Sequence, residues 1–456
     1  MAAAGLLAIG AASTMFAPWP AAGQGRASRV ELLEAGDLGG EPRSPALAGG
    51  LWAPEPLVLG VEPDLDRTVL YRLPRLVAVP GIAPRLPFEA GTEDGPTRRS
   101  EATGDAAATG DIVLAGARPI EIPAPALPAV LPFPPLPPAV SELRLAGNGK
   151  AGVAAWVARE GPEVAPLSRI SARRITPDGR PIGDDLTLQA GPALPRDLAV
   201  AMNNEGEVLV AWTNHLQGRG AGLRWRAIGQ DGDLGPLRNE WDVPTDIGSP
   251  SIVPAPTGGG FLVAYLSTSV GQSDPATSPH GPLREIRLMR VVKGDAAPTG
   301  SVLVRKGHGL DNPTVVARDG ASFVFWTDPR GGGRALKMRL QGISTGGEWP
   351  DTALRSDLRL SEPVPYRVVS APDGQWLVAW PQSEGRGRAM VLEARLFHHS
   401  GYAAGPPLLL GRSAGDIALR DLIEARGYDR WIALWTEEEA GRFRLRYREL
   451  RREPGK

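Results

Sequence analysis

The sequence predicts an all-β chain in which six four-stranded sheets form a ring, a six-bladed β-propeller. Three observations carry that prediction. First, six apolar runs end in an aromatic residue at near-constant spacing: Ala155-Trp156, Ala211-Trp212, Ala264-Tyr265, Phe325-Trp326, Ala379-Trp380 and Leu434-Trp435. The steps between them are 56, 53, 61, 54 and 55 residues. A period of about 50 residues made of strand-like pieces marks a propeller or a β array. Second, a Gly-bearing turn precedes each run, as in Asn148-Gly149, Glu205-Gly206 and Asp373-Gly374. Such dipeptides supply the positive φ that a tight hairpin needs. Third, a strand with period-2 alternation follows each aromatic, and each carries one Arg in a matching place: Arg173, Arg226, Arg290, Arg339, Arg395 and Arg448.

Each repeat reads in the same order. A short apolar first strand (Leu143 to Leu145, Leu198 to Met202, Ser251 to Val253, Thr314 to Ala317, Val368 to Ser370, Leu422 to Glu424) leads into the turn. The second strand is continuously apolar, as in Val208 to Trp212, which suits burial on both faces. The third alternates Arg442, Arg444, Arg446 and Arg448 with Phe443, Leu445 and Tyr447, the pattern of a half-buried strand. Fourth strands are expected at Asp185 to Leu188, Asn239 to Val243, Ser301 to Val304, Asp357 to Leu360 and Pro407 to Leu410. The sixth repeat runs out after its third strand. Asp111-Ile112-Val113-Leu114 resembles the other fourth strands and is expected to pair with Phe443 to Leu450, closing the ring and removing its edges.

The expected organisation is a signal peptide or anchor over 1–24, a flexible, disordered Gly/Pro-rich region over 25–110 and the propeller over 111–456. Residues 1–25 carry no charged side chain, and Gly5 to Phe16 is an apolar stretch of signal-peptide length followed by Ala21-Ala22-Gly23. Within 25–110 the apolar pieces Leu57 to Gly60 and Thr68 to Pro80 have no clear period, and Pro74 interrupts the second. Nine of the twenty residues from Pro119 to Pro138 are Pro, which reads as an extended spacer. The absence of Cys excludes a disulfide framework or thiolate chemistry, and the formal net charge of -1 gives no global pull toward nucleic acid or an anionic membrane.

The units Asp373-Gly374-Gln375-Trp376-Leu377-Val378-Ala379-Trp380 and Ala172-Arg173-Arg174-Ile175-Thr176-Pro177-Asp178-Gly179 resemble the repeats of secreted bacterial β-propellers. The resemblance covers about 141–456 and implies export to the periplasm, cell surface or medium. It implies no particular activity.

In a four-stranded blade the second-to-third and fourth-to-first connections emerge on one face, where propellers bind. That face is expected to carry His215, Arg219, Asp328, Arg330, Glu384, Arg386, Arg388, Glu437, Glu438 and Glu439. It also takes the long loop from Ser267 to Pro282, with Asp274 and His280, and the connection bearing Lys306, His308 and Asp311. Mixed carboxylates and guanidiniums suit hydrogen bonding to a sugar or polar peptide. His398-His399 and Asp231-Gly232-Asp233 read as turns, with too few converging ligands for a metal. No cofactor is expected. The function expected is a non-catalytic binding or scaffold module for a glycan or protein, without nucleic acid, and with a membrane only if the N-terminal segment stays uncleaved. The alternatives are a sialidase-like glycoside hydrolase and a structural repeat domain of a surface assembly.

Overall fold

The computed structural model describes residues 30–37, 47–51, 57–62, 67–73, 129–131, 133–137, 139–160, 167–216, 220–240, 245–256, 259–269, 283–292, 301–318, 321–328, 335–341, 352–353, 365–371, 375–384, 389–398, 401–424 and 430–452. They form seven four-stranded antiparallel sheets. In chain order β1 (Val30–Asp37) stands apart from its neighbours in sequence. Sheet 1 takes β2 (Leu47–Leu51), β3 (Leu57–Glu62), β4 (Arg67–Arg72) and β5 (Ala129–Leu131). Sheet 2 takes β6 (Val140–Gly147), β7 (Gly152–Glu160), β8 (Leu167–Ile175) and β9 (Pro181–Gly191). Sheet 3 takes β10 (Leu194–Met202), β11 (Val208–Leu216), β12 (Gly220–Ile228) and β13 (Arg238–Glu240). Sheet 4 takes β14 (Thr245–Pro254), β15 (Phe261–Ser269), β16 (Leu283–Val291) and β17 (Ser301–His308). Sheet 5 takes β18 (Asp311–Arg318), β19 (Ala321–Asp328), β20 (Ala335–Gln341) and β21 (Thr352–Ala353). Sheet 6 takes β22 (Arg367–Ala371), β23 (Gln375–Ser383), β24 (Met390–Phe397) and β25 (Leu408–Ser413). Sheet 7 holds β26 (Ile417–Glu424), β27 (Arg430–Glu439) and β28 (Arg442–Arg452), and its outer strand is β1.

The ring is visible in the cores. Seven hydrophobic clusters each lie between one sheet and the next, including one between sheets 7 and 1. The first strands touch in the same cyclic order, β2 against β6 and finally β26 against β2, so they surround the channel. The second strands alternate between two interfaces. In β7, Val153, Ala155 and Val157 pack toward sheet 3, while Ala154, Trp156 and Ala158 pack toward sheet 1. Period-2 alternation between two apolar faces produces the continuous apolar run. Each repeat aromatic packs on the preceding sheet: Trp156, Trp212, Tyr265, Trp326, Trp380 and Trp435 fall in six successive interfaces.

The count of six and the closing strand are corrected. The additional sheet, β2 to β5, lies largely in the region expected to be flexible, and β1 lies there too. Its second strand, Leu57–Glu62, carries no aromatic, and more than 50 residues separate β4 from β5, so the period fails there. Leu57, Val58 and Leu59 are nonetheless fully buried. The Pro-rich run is a spacer only in part: β5 pairs with β4 inside it, and Leu136, also inside it, is buried. An outer strand needs only one edge paired, so flanking prolines are tolerated. Closure comes from β1, where Val30 opposes Arg452 and Asp37 opposes Arg446. Residues 111–114 and 357–360 lie outside the described residues; the fourth strand of sheet 5 is Thr352–Ala353.

The Arg register also has a mechanism. Arg173, Arg226, Arg339, Arg395 and Arg448 each stand opposite the residue two before the aromatic. Three of them reach beyond their own sheet: Arg173 donates to the Pro134 carbonyl just after β5 (2.8 Å), and Arg226 and Arg448 donate to Leu188 (3.1 Å) and Leu409 (2.9 Å) on the outer strands of the preceding sheets. Arg173 is buried, pairs with Asp185 at 2.6 Å and stacks on Trp156. Arg290 departs from this set. Met289 occupies its register position opposite Val263, and Arg290 bonds the Gly259 carbonyl instead.

Turn glycines stand where expected, with positive φ at Gly149, Gly179, Gly206, Gly232 and Gly401. At Gly179 the turn also presses on sheet 1, and a Cβ there would collide with Leu70.

Five first strands carry a bulge near the end where the ligand face was expected. In β10, β14 and β18 two residues oppose the one aromatic, and the first of them has a left-handed backbone: Asp197 (φ 54), Ser249 (φ 51) and Asn312 (φ 50). A bulge bends its strand and leaves N–H groups without ladder partners. Neighbouring sheets supply acceptors. Glu142 accepts from the Asp197 and Leu198 amides (2.9 and 2.7 Å), and Asp197 from the Ser249 amide (3.2 Å).

A further inter-sheet bond joins sheets 6 and 7, where the Ser370 amide donates to Glu424 (3.0 Å). Burial pushes the Glu424 carboxyl up to about 7. The folded state therefore favours the protonated form, and this contribution is complete below the ordinary carboxylate range and lost as pH rises through about 7. Glu424→Gln removes the ionisation and keeps an acceptor. It should raise stability by ~3 kcal/mol at most above pH ~7 and change little below pH ~4.5. Thermal melts of both proteins from pH 4 to 9 check this; a difference that does not vary with pH would refute it.

Candidate functional site

Antiparallel order brings the second-to-third and fourth-to-first connections to one end of the ring, as the sequence requires. The described candidates stand there. His215 is half-buried near the end of β11, and His308 is exposed at the end of β17. Asp311 opens β18 and faces Arg284 at 3.7 Å, while its carboxylate also accepts the Asn312 amide. Asp328 ends β19 and is only 1% exposed, so it is a core carboxylate and not a free surface group. Glu384 is exposed and paired with Arg412 at 2.6 Å. Glu437 accepts from Arg446 (2.8 Å) and from the Trp435 indole (3.0 Å), buttressing the aromatic. Glu438 packs on Gly415, and its amide bonds Asp416. Arg219, Asp274, His280, Arg330, Arg386 and Arg388 lie outside the described residues. The structure does not bring the described carboxylates together as an unpaired set.

It brings together something the sequence reading missed. Arg144 on β6 and Arg367 on β22 occupy the same register, each opposite the residue before the aromatic. Arg420 is the bulge residue of β26, between Leu419 and Asp421. Their hydrogen bonds are few. Arg144 and Arg367 each turn one NH1 group to the carbonyl of the preceding residue (2.9 and 3.1 Å), and Arg420 Nε donates to Thr436 (3.0 Å). Among the described residues none of the three makes a salt bridge. Burial, then repulsion from Arg144, holds Arg367 below the ordinary guanidinium value, with Asp421 opposing. Burial, then Arg144 and Arg367, pushes Arg420 down to about 10, still charged at neutral pH. Sheets 2 and 6 are not neighbours, so Arg144 and Arg367 act on each other across the channel. No spacing rule reveals this, because the three belong to different repeats and only ring closure unites them.

At the opposite end, a cleft of about 410 Å³ lies between sheets 3 and 4, floored by Leu209, Trp225 and Phe261 and rimmed by Asp231 and Asp233. Gly232 adopts the left-handed turn conformation between those two aspartates. His398 likewise sits in a turn, its amide bonded to the Tyr402 carbonyl.

No protein-family model matches the chain, and no curated protein matches it. Solved structures similar to it include a protein of unknown function from Dyadobacter fermentans, with TM-score 0.47 and 12% identity over 69% of this chain and 95% of that one. An ulvan lyase, a polysaccharide lyase solved with a bound glycan, gives 0.48 and 9% over 91% and 95%. A Trypanosoma rangeli sialidase gives 0.39 and 12% over 69% of this chain and 54% of that one. The chain is an all-β protein with a propeller arrangement of sheets around a channel.

Proposed function

We propose that this chain is a non-catalytic binding module that takes a glycan or protein ligand at the channel end bearing the second-to-third and fourth-to-first connections. One observation carries the reading. Three described carboxylates at that end are engaged, Asp311 with Arg284, Glu384 with Arg412 and Glu437 with Arg446, while the channel arginines Arg144, Arg367 and Arg420 make no salt bridge among the described residues. Glycoside hydrolysis requires two carboxylates set across a scissile bond. Ion-paired carboxylates suit a rigid scaffold better. Export is part of the proposal and rests on the uncharged N-terminal stretch and the repeat resemblance.

The test is a glycan array probed with the full chain at two salt concentrations, followed by product analysis of each sugar bound. Binding without released product is expected. Released product would replace this reading with the hydrolase. Absence of any sugar binding would direct the search to protein ligands on the same face. Export is checked by fractionating the expressing cells and sequencing the mature N-terminus; an intact N-terminus in the cytoplasm would refute it.

A further inference from the structure

We propose that Arg144, Arg367 and Arg420 form one oxyanion site on the channel wall, taking a carboxylate, sulfate or phosphate group of the ligand. This rests on the reading of the chain as a binding module and names the chemistry of what it binds.

The three residues lie on the first strands of sheets 2, 6 and 7, which line the channel. A guanidinium carries five N–H donors in a planar fork. Among the described residues each of these three uses a single hydrogen bond to protein, and no carboxylate lies within salt-bridge distance of any of them. Arg144 and Arg367 use their one bond in the same way, NH1 to the preceding carbonyl, which fixes each head and leaves most of its fork available.

Their convergence separates this from ordinary stem packing. Arg173, Arg226 and Arg448 also bury their stems, but each spends NH1 on a carbonyl outside its own sheet, and Arg173 is paired with Asp185 as well. The channel trio instead sits on first strands around one channel, near enough that Arg367 feels the charge of Arg144 and Arg420 feels both. Like charges in one partly desolvated space repel. Asp421 offsets part of that repulsion at Arg367. An oxyanion would offset more and would accept paired N–H bonds from more than one fork.

Calorimetry and thermal melts of the full chain test this at constant ionic strength. The probes are sodium sulfate, sodium phosphate, sodium glucuronate and glucose, the last being neutral. Saturable binding of an oxyanion, with a rise in melting temperature, is expected, and the tightest probe identifies the group. R144Q, R367Q and R420Q should each weaken that binding on the order of tenfold. Without anion each variant should melt no lower than the parent, because a repulsion has been removed. R367K keeps the charge, loses the fork and should still weaken binding, which covers the case of a glutamine variant that does not fold.

Failure of every oxyanion to bind, or binding indifferent to all four substitutions, would overturn the proposal. Glucose bound equally by the parent and by R144Q would overturn it while leaving the binding module standing. Arginine-dependent binding accompanied by turnover of a glycan would do the reverse, keeping the site and removing the non-catalytic reading.

Discussion

A chain lacking Val30–Asp37 is expected to lose its single cooperative thermal transition. β1 supplies the fourth strand of sheet 7, and six of its residues are in register with β28. At roughly 0.5–1.5 kcal/mol net for each hydrogen bond, removing it costs on the order of 5 kcal/mol. It also bares the edge of β28, which becomes a template for pairing with another chain. The truncated protein should melt earlier and in a broader transition, with concentration-dependent aggregation. Calorimetry of both chains at two concentrations checks this. An unchanged melt would mean that β1 does not close the ring.

The second large effect concerns the repeat aromatics. Trp326→Ala empties a fully buried indole site between sheets 4 and 5 and should cost ~3–5 kcal/mol. Phenylalanine separates packing from hydrogen bonding. The Trp212 indole donates to Gln189 (3.1 Å), whereas the Trp326 indole nitrogen has no partner among the described residues. Trp212→Phe should therefore cost ~1 kcal/mol more than Trp326→Phe. Chemical denaturation of the two variants decides it; equal losses would show that the Gln189 bond adds nothing net.

Six aromatics, the turn glycines and most of the Arg register were legible because each repeat solves one packing problem: a second strand buried on both faces, with an aromatic turned to the preceding sheet. The additional sheet was not legible. Leu57–Glu62 fills the same place without an aromatic, and Gly60 lies only 3.3 Å from Leu445 when a Cβ is added, so that position favours a small residue. First strands were read too short for a related reason. Asp197, Ser249-Pro250 and Asn312-Pro313 look like loop, yet they are bulges, and pairing resumes on their far side. The ligand face was legible as a set of connections, because strand order fixes which turns share an end. The arginine cluster was not. Arg144, Arg367 and Arg420 are ordinary polar residues on short strands until the ring places them around one channel.

The ring alters how the molecule frays. A linear repeat array opens from its ends, where each terminal unit has one neighbour. Here every sheet has two, and breaking any of them away exposes two apolar interfaces, so local opening of sheets 2 to 6 approaches the cost of global unfolding. Sheet 7 differs, since its outermost strand β1 comes from a distant part of the chain and is joined to β28 by strand pairing rather than by a short turn. Amide exchange should be fastest there and should spread from Arg442–Arg452 into Arg430–Glu439. The molecule thus has one seam, and the two distant parts of the chain that form it are the first to part.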